Sequence, residues 1–129
     1  EEGLRRFQRW LKPGGLVAVT EISWLRPSPP ERAQRFWQEA YPGMATVEEN
    51  LARIRQAGYR LLGQFTLPER DWWESYYQPM AERVEQLREQ YRGQAEAQRI
   101  LDMEHAEIDL YRQASAWYGY EFYIMKAEN

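Results

Sequence analysis

The run Lys12-Pro13-Gly14-Gly15-Leu16-Val17-Ala18-Val19-Thr20 constrains this chain more than any other. Proline followed by two glycines stops a helix, because proline lacks a backbone N–H and glycine enters a left-handed turn without steric cost. The apolar run that follows at once, to about Ile22, has the pattern of a strand buried on both faces, as in the centre of a parallel sheet. Ahead of the turn, Leu4, Phe7, Trp10 and Leu11 make one apolar helical stripe. A helix–turn–strand unit with no strand before the helix is the pattern of the later part of an α/β domain.

The rest of the chain continues that grammar. Ser28, Pro29 and Glu31 form a helix-start signature ahead of a stripe of Ala33, Phe36, Trp37, Ala40 and Tyr41. Thr46 with Glu49 repeats the capping box before Val47, Leu51 and Ile54, and Gly58 closes that helix. Residues 59–67 then read as a second strand, weakened by Gly63. Helix, glycine stop and strand in that order make the joint of a parallel crossover, so this strand is expected to run parallel to the first. A third start at Asp71 and Glu74 opens a helix to Arg92, which Pro79 is expected to kink or divide. A last helix follows Gly93 to about Trp117, and residues 120–127 alternate as a third strand.

Composition narrows the functional classes. Seventeen basic against twenty acidic side chains leave a formal charge of −3, which gives no cationic surface for nucleic acid. No apolar run approaches the roughly 20 residues of a membrane-spanning helix. Glu1 and Glu2 stand where a signal peptide carries basic residues. The absence of Cys removes disulfides and Cys-based zinc sites and is compatible with a reducing cytoplasm.

The ordered set of features resembles the C-terminal half of the class I S-adenosylmethionine-dependent methyltransferases. The matching segments are Leu11-Lys12-Pro13-Gly14-Gly15, the strand Leu16-Val17-Ala18-Val19-Thr20-Glu21, the crossover end Gln56-Ala57-Gly58-Tyr59, and the closing strand from Tyr120. The stretch from Phe65 through Trp72-Trp73-Glu74-Ser75-Tyr76-Tyr77 is similar to a small-molecule subgroup of that family. The resemblance implies an α/β, Rossmann-like sheet of which this chain holds the fifth, sixth and seventh strands, the antiparallel seventh lying between the other two. It implies a single partial domain over residues 1–129: a unit at 1–67, a two-helix insertion or lid at 68–118, and the final strand at 119–129. The parent protein would use S-adenosylmethionine, held in this family by a Gly-rich turn after the first strand; no Gly-x-Gly-x-Gly occurs in this sequence. The chain is therefore expected to be inactive alone. Its unpaired fifth strand is expected to find either the N-terminal half of the same enzyme or a strand-paired second copy.

Ligands of open α/β sheets bind beyond the carboxyl ends of the parallel strands. This places Glu21 and Trp24 at one such end. The other opens into an insertion of about fifty residues, against the two to five of ordinary hairpin loops. Trp72, Trp73, Tyr76 and Tyr77 start that insertion and are candidates to enclose a small methyl acceptor by stacking or cation–π contact. Core packing competes for the 73–76–77–80 stripe, and Trp72, off that stripe, is the better pocket candidate. Glu21 can accept from a substrate hydroxyl or amine, or act as a base; a helix cap or ion pair is the plainer role. His105, flanked by Asp102 and Asp109, has the spacing of a one-helix metal site but also of ordinary helix surface. No cofactor-binding or metal-ligating residue is assigned. A non-enzymatic helical interaction module, with the pair at 71–117 binding a partner, is the competing class.

Overall fold

The computed structural model describes residues 2–128; Glu1 and Asn129, the two ends of the expected domain, lie outside the described residues. In chain order the elements are α1 (Glu2–Gln8), β1 (Leu16–Trp24), α2 (Glu31–Ala40), β2 (Ala45–Thr46), α3 (Val47–Gln56), β3 (Tyr59–Thr66), α4 (Glu69–Trp72), a π-helical turn (Trp73–Tyr77), α5 (Gln78–Gln90), α6 (Ala95–Ala114) and β4 (Tyr118–Ala127).

One sheet holds the strands in the order β2-β1-β4-β3. β4 is antiparallel to both β1 and β3, which are therefore parallel to each other, with the last strand between them. The sheet has four strands rather than three. The extra one, β2, is a two-residue pairing of Ala45 and Thr46 with Ser23 and Trp24, parallel, at the carboxyl end of β1. Over residues 16–22 the outer edge of β1 has no strand partner among the described residues.

The two faces are covered by different layers. α1 and α3 pack on the face carrying Val17, Val19, Tyr59, Leu61, Tyr123 and Met125. Gly58 makes the turn into β3 at φ +85; a Cβ there would stand 2.7 Å from Gln8 Nε2, which donates to the Ala57 carbonyl at 2.6 Å. Leu4 and Leu11 join this layer, whereas Phe7 and Trp10 of the expected stripe are exposed, Trp10 by 79%. The opposite face carries Ile22, Trp24 and Tyr118 and is covered at its carboxyl end by α2 and the helical insertion. Toward the other end it is bare. Leu16, Ala18 and Thr20 are exposed there, so β1 is not buried on both faces as its apolar run suggests. A bulge at Leu62 shifts the register of β3. Beyond it Phe65 lies opposite Phe122, with the rings stacked at 4.6 Å.

A side-chain cap forms at one of the three expected helix starts. Thr46 Oγ1 accepts from the Glu49 N–H at 3.1 Å, the expected cap of α3. Ser28 does not cap α2: it sits at φ +55, and the helix begins after Pro30 with no side-chain cap. The first helix of the insertion starts at Glu69 behind Pro68, before the expected Asp71, also with no side-chain cap.

Candidate functional site

β1 and β3 end on the same rim of the sheet, and two groups of side chains gather there. The first belongs to β1. Trp24 is half-buried and lines a cavity of about 470 Å³ with Arg26, Trp37, Tyr41 and Thr46. Glu21 lines a smaller one, about 270 Å³, with Tyr41, Asn50, Arg53 and Tyr123. Tyr41 borders both cavities and donates its hydroxyl to Glu21 Oε1 in a short hydrogen bond. That bond, then burial and the Glu21 charge, raise the Tyr41 pKa above its ordinary 10.0. Glu21 is therefore met by a phenol rather than by an ion pair, which leaves its second oxygen able to accept from a hydroxyl or an ammonium.

The second group opens the insertion. The Gln78 N–H bonds the Trp73 carbonyl, five residues back, which widens the helix into a π turn just before Pro79. A proline in an ordinary helix clashes with the carbonyl four residues earlier and has no N–H to offer it, so the wider turn removes the conflict. Widening also brings residues five apart onto one side. Trp72 and Tyr77 stack at 5.6 Å and 13°, and Trp72 continues the stack onto Tyr111 at 5.1 Å and Tyr120 at 4.6 Å.

Trp72 is only 4% exposed, so it does not stand clear of the packed stripe as the sequence suggests; it is the centre of the stack. Its indole N–H nevertheless has no acceptor among the described residues. Tyr77 is fully buried and donates weakly to Glu107 at 3.3 Å. Burial, with Glu107 nearby, drives the Tyr77 pKa far above the ordinary phenol value. Trp73 is half-buried with the Arg112 guanidinium 4.5 Å from its ring. Tyr76 is the open member, 47% exposed.

A ladder of rings joins the two groups: Trp24 to Tyr118 at 6.1 Å, Tyr118 to Tyr111 at 5.9 Å, and Tyr111 to Trp72. Burial raises the Tyr111 and Tyr118 hydroxyl pKa values well above normal. Trp37 lies close to the Tyr118 hydroxyl without the alignment of a full hydrogen bond. Glu21 is not on this ladder. It lies on the other face of β1, opposite Glu121 of β4. Glu121 is buried and accepts from Thr66 Oγ1 at 2.5 Å. The structure thus brings five of the six expected site residues to one face and sets the carboxylate on the other. Sequence reasoning missed Tyr41, Tyr111, Tyr118 and Tyr120; the alternation Tyr118-Gly119-Tyr120 was the available signal for the last two.

His105 and its neighbours separate. His105 Nε2 meets Asp109 at 3.2 Å, while Asp102 pairs with Arg88 at 2.8 Å. Among the described residues no group of three His, Asp or Glu side chains is placed to hold a metal ion. No helix among them is long and apolar enough to cross a membrane.

No protein-family model matches the sequence, and no curated protein matches it. Solved structures do match. A S-adenosylmethionine-dependent methyltransferase from Geobacter sulfurreducens, in complex with S-adenosyl-L-homocysteine, superposes with a TM-score of 0.71 at 17% identity, over 94% of this chain and 49% of that one. Phosphoethanolamine N-methyltransferase 2 of Haemonchus contortus, in complex with S-adenosyl-L-methionine, gives 0.73 at 17% identity, over 98% and 29%. The 4+2 cyclase SpnF gives 0.60 at 23% identity, over 96% and 42%. The chain spans about half the length of the first and less of the others. The likeness shows a class I methyltransferase fold, one that the cyclase uses as well.

Proposed function

We propose that this chain, which has a class I methyltransferase fold, is the C-terminal portion of a S-adenosylmethionine-dependent enzyme that methylates a small molecule. The observation that carries the reading is topological. An antiparallel last strand lies between two parallel ones, and a helical insertion leaves the carboxyl end of the second, in a fold shared with proteins solved with the methyl donor or its product.

No donor cradle is assigned to the described residues of this chain. Its left-handed glycines, Gly14, Gly58 and Gly93, sit at helix stops and helix joints rather than beyond the carboxyl end of a parallel strand. No step of the transfer is assigned to them. The donor would be held by further strands pairing along residues 16–22 of β1, with helices over the bare apolar face around Leu16 and Phe65. Lacking these, the chain is expected to be inactive, or to pair that edge with a second copy.

Its own contribution is to bind and shield. Trp24 and Tyr76 are the accessible aromatics that would touch the acceptor. Trp72, Trp73 and Tyr77 hold the wall behind them, and Glu21 with Tyr41 orders the neighbouring cavity. The helical pair is tied to the sheet by the Trp72–Tyr120 stack and the edge-on Tyr111–Tyr118 contact, which favours a lid over a free interaction arm.

Calorimetric titration of the full-length protein with S-adenosylmethionine tests the proposal, and absence of donor binding removes it. Given binding, Tyr76→Ala should raise KM for the acceptor with little change in donor affinity.

A further inference from the structure

Tyr76 and Tyr120 form the open end of the ring layer, where the start of the insertion meets the sheet. Tyr120 stacks on Trp72 at 4.6 Å, and Tyr76 meets the same indole edge-on at 6.2 Å. They are 39% and 47% exposed, so a molecule from solvent reaches both rings. The face of a tyrosine ring carries negative charge density and attracts a cation. Trp73 already holds one, with the Arg112 guanidinium 4.5 Å from its ring. Among the described residues no cation of the protein lies over Tyr76 or Tyr120.

The formal charges that act on Tyr76 are of one sign. Glu104 and Glu107 stand three residues apart on α6, both half-buried. Glu107 accepts from the Tyr77 hydroxyl at 3.3 Å, and the Tyr77 ring lies 4.9 Å from that of Tyr76. Burial first, and then Glu107, Tyr120 and Glu104, raise the Tyr76 pKa above its ordinary 10.0. Asp102 and Asp109 of the same helix have basic partners, Arg88 at 2.8 Å and Arg112 at 4.0 Å. Glu104 and Glu107 form no ion pair among the described residues. Carboxylates drawn partly out of water without a counter-ion gain from a cation brought beside them.

We propose that the acceptor bound at this end of the ring layer is a small alkylammonium compound, its cationic head over Tyr76 and Tyr120 and facing Glu107 and Glu104. This rests on the reading that these aromatics bound the acceptor site, and it names the class of molecule they take. An anion would be opposed by both carboxylates, and an uncharged molecule would leave them without a counter-ion. Glu107, whose charge the stacking of rings does not use, is then the residue that sets specificity.

The test is calorimetric titration of the full-length protein with choline and with its uncharged isostere 3,3-dimethyl-1-butanol, S-adenosylmethionine being titrated separately. Choline should bind roughly tenfold more tightly than the isostere, as for a cation held by ring faces beside a carboxylate. Glu107→Gln removes the charge and keeps an acceptor for the Tyr77 hydroxyl. It should weaken choline about tenfold while the isostere and the donor bind as before. Tyr76→Leu should also weaken choline selectively, whereas Tyr76→Phe, which keeps the ring face, should retain it. Donor binding with no preference for choline, or a preference that survives Glu107→Gln or Tyr76→Leu, overturns this inference and leaves the transfer reading standing. Absence of donor binding removes the transfer reading and the acceptor named here with it.

Discussion

The two faces of the sheet treat buried polar groups in opposite ways. Under α3, Asn50 Nδ2 donates to Ser23 Oγ at 3.0 Å and to Tyr123 OH at 3.2 Å. The two hydroxyls are 3.1 Å apart, and Ser23 Oγ donates onward to the Glu21 carbonyl at 3.0 Å. Every partner is present, and the cluster ties α3 to β1 and β4. Under the insertion, burial is carried by rings, and three polar atoms (Trp37 Nε1, Trp72 Nε1 and the Tyr118 hydroxyl) are left without a full hydrogen bond. A closed network fixes the position of every member, whereas an open one leaves the packing of rings to do so. The first face holds the scaffold; the second, at the strand ends, carries the aromatic residues of the proposed acceptor site.

The ring face should nevertheless dominate stability. Tyr77 is fully buried and contacts Trp72, Tyr76 and Tyr111. Tyr77→Ala is expected to cost about 3–5 kcal/mol, the range for deleting a large buried side chain. Tyr77→Phe should cost below about 1 kcal/mol, because the bond it removes is long. Urea denaturation of both variants measures the difference. Near-equal losses would mean that the hydroxyl rather than the ring holds the insertion in place.

A second pair compares the faces directly. Asn50→Ala removes the donor common to both hydroxyls and should cost about 1–3 kcal/mol. Tyr118→Phe removes a hydroxyl that has no full partner and should be neutral or stabilising by up to about 1 kcal/mol. If Tyr118→Phe costs as much as Asn50→Ala, the ring face is closed after all and the contrast fails.

The scaffold was far more legible in the sequence than the site. Gly58 and the Thr46–Glu49 pair act over a few residues, and the parallel relation of β1 and β3 follows from the crossover they delimit. β2 left no signal, since two residues, Ala45 and Thr46, carry no period. Trp72 was misplaced for a definite reason. A helical wheel at 3.6 residues per turn puts it off the 73–76–77–80 stripe, but the π turn spreads one turn over more residues, so that less rotation separates it from Tyr77 and the two rings come together. Pro79 showed that regular helix would fail there; only the packing of Tyr111 and Tyr120 shows how. Glu21 and Trp24 were grouped as neighbours toward the carboxyl end of β1, yet strand alternation places them on opposite faces.

A smaller effect bears on the polar edge of the ring face. Burial first, and then the charge of Glu104, hold the Glu107 pKa above its ordinary 4.5, with the Tyr77 hydroxyl acting weakly against them. A carboxyl whose folded pKa is raised contributes stability below its unfolded value and loses that contribution as pH rises through the folded one. Stability should therefore decline as pH climbs past 4.5, and Glu107→Gln should flatten that decline and leave the variant the more stable at neutral pH. Denaturation midpoints measured from acid to neutral pH provide the check. A Gln variant whose stability falls as steeply as that of the parent would place the titration elsewhere.

The smallest expected effect separates two causes of the π turn. Pro79 favours it, because a regular turn would press the proline ring on the Ser75 carbonyl. The Trp72–Tyr77 stack favours it too, because only the widened turn sets those rings face to face. If the stack governs, Pro79→Ala leaves the turn in place. The proline is the second residue of α5, where the N–H is not required by the helix that follows, so the change in stability should stay below about 1 kcal/mol. The near-ultraviolet circular dichroism of the packed rings should be retained. A gain nearer the roughly 3 kcal/mol released when a proline leaves a helix interior, together with loss of that signal, would assign the turn to Pro79. The stack would then be a consequence of the backbone, and the position of Trp72 in the ring layer would rest on one imino acid rather than on the layer as a whole.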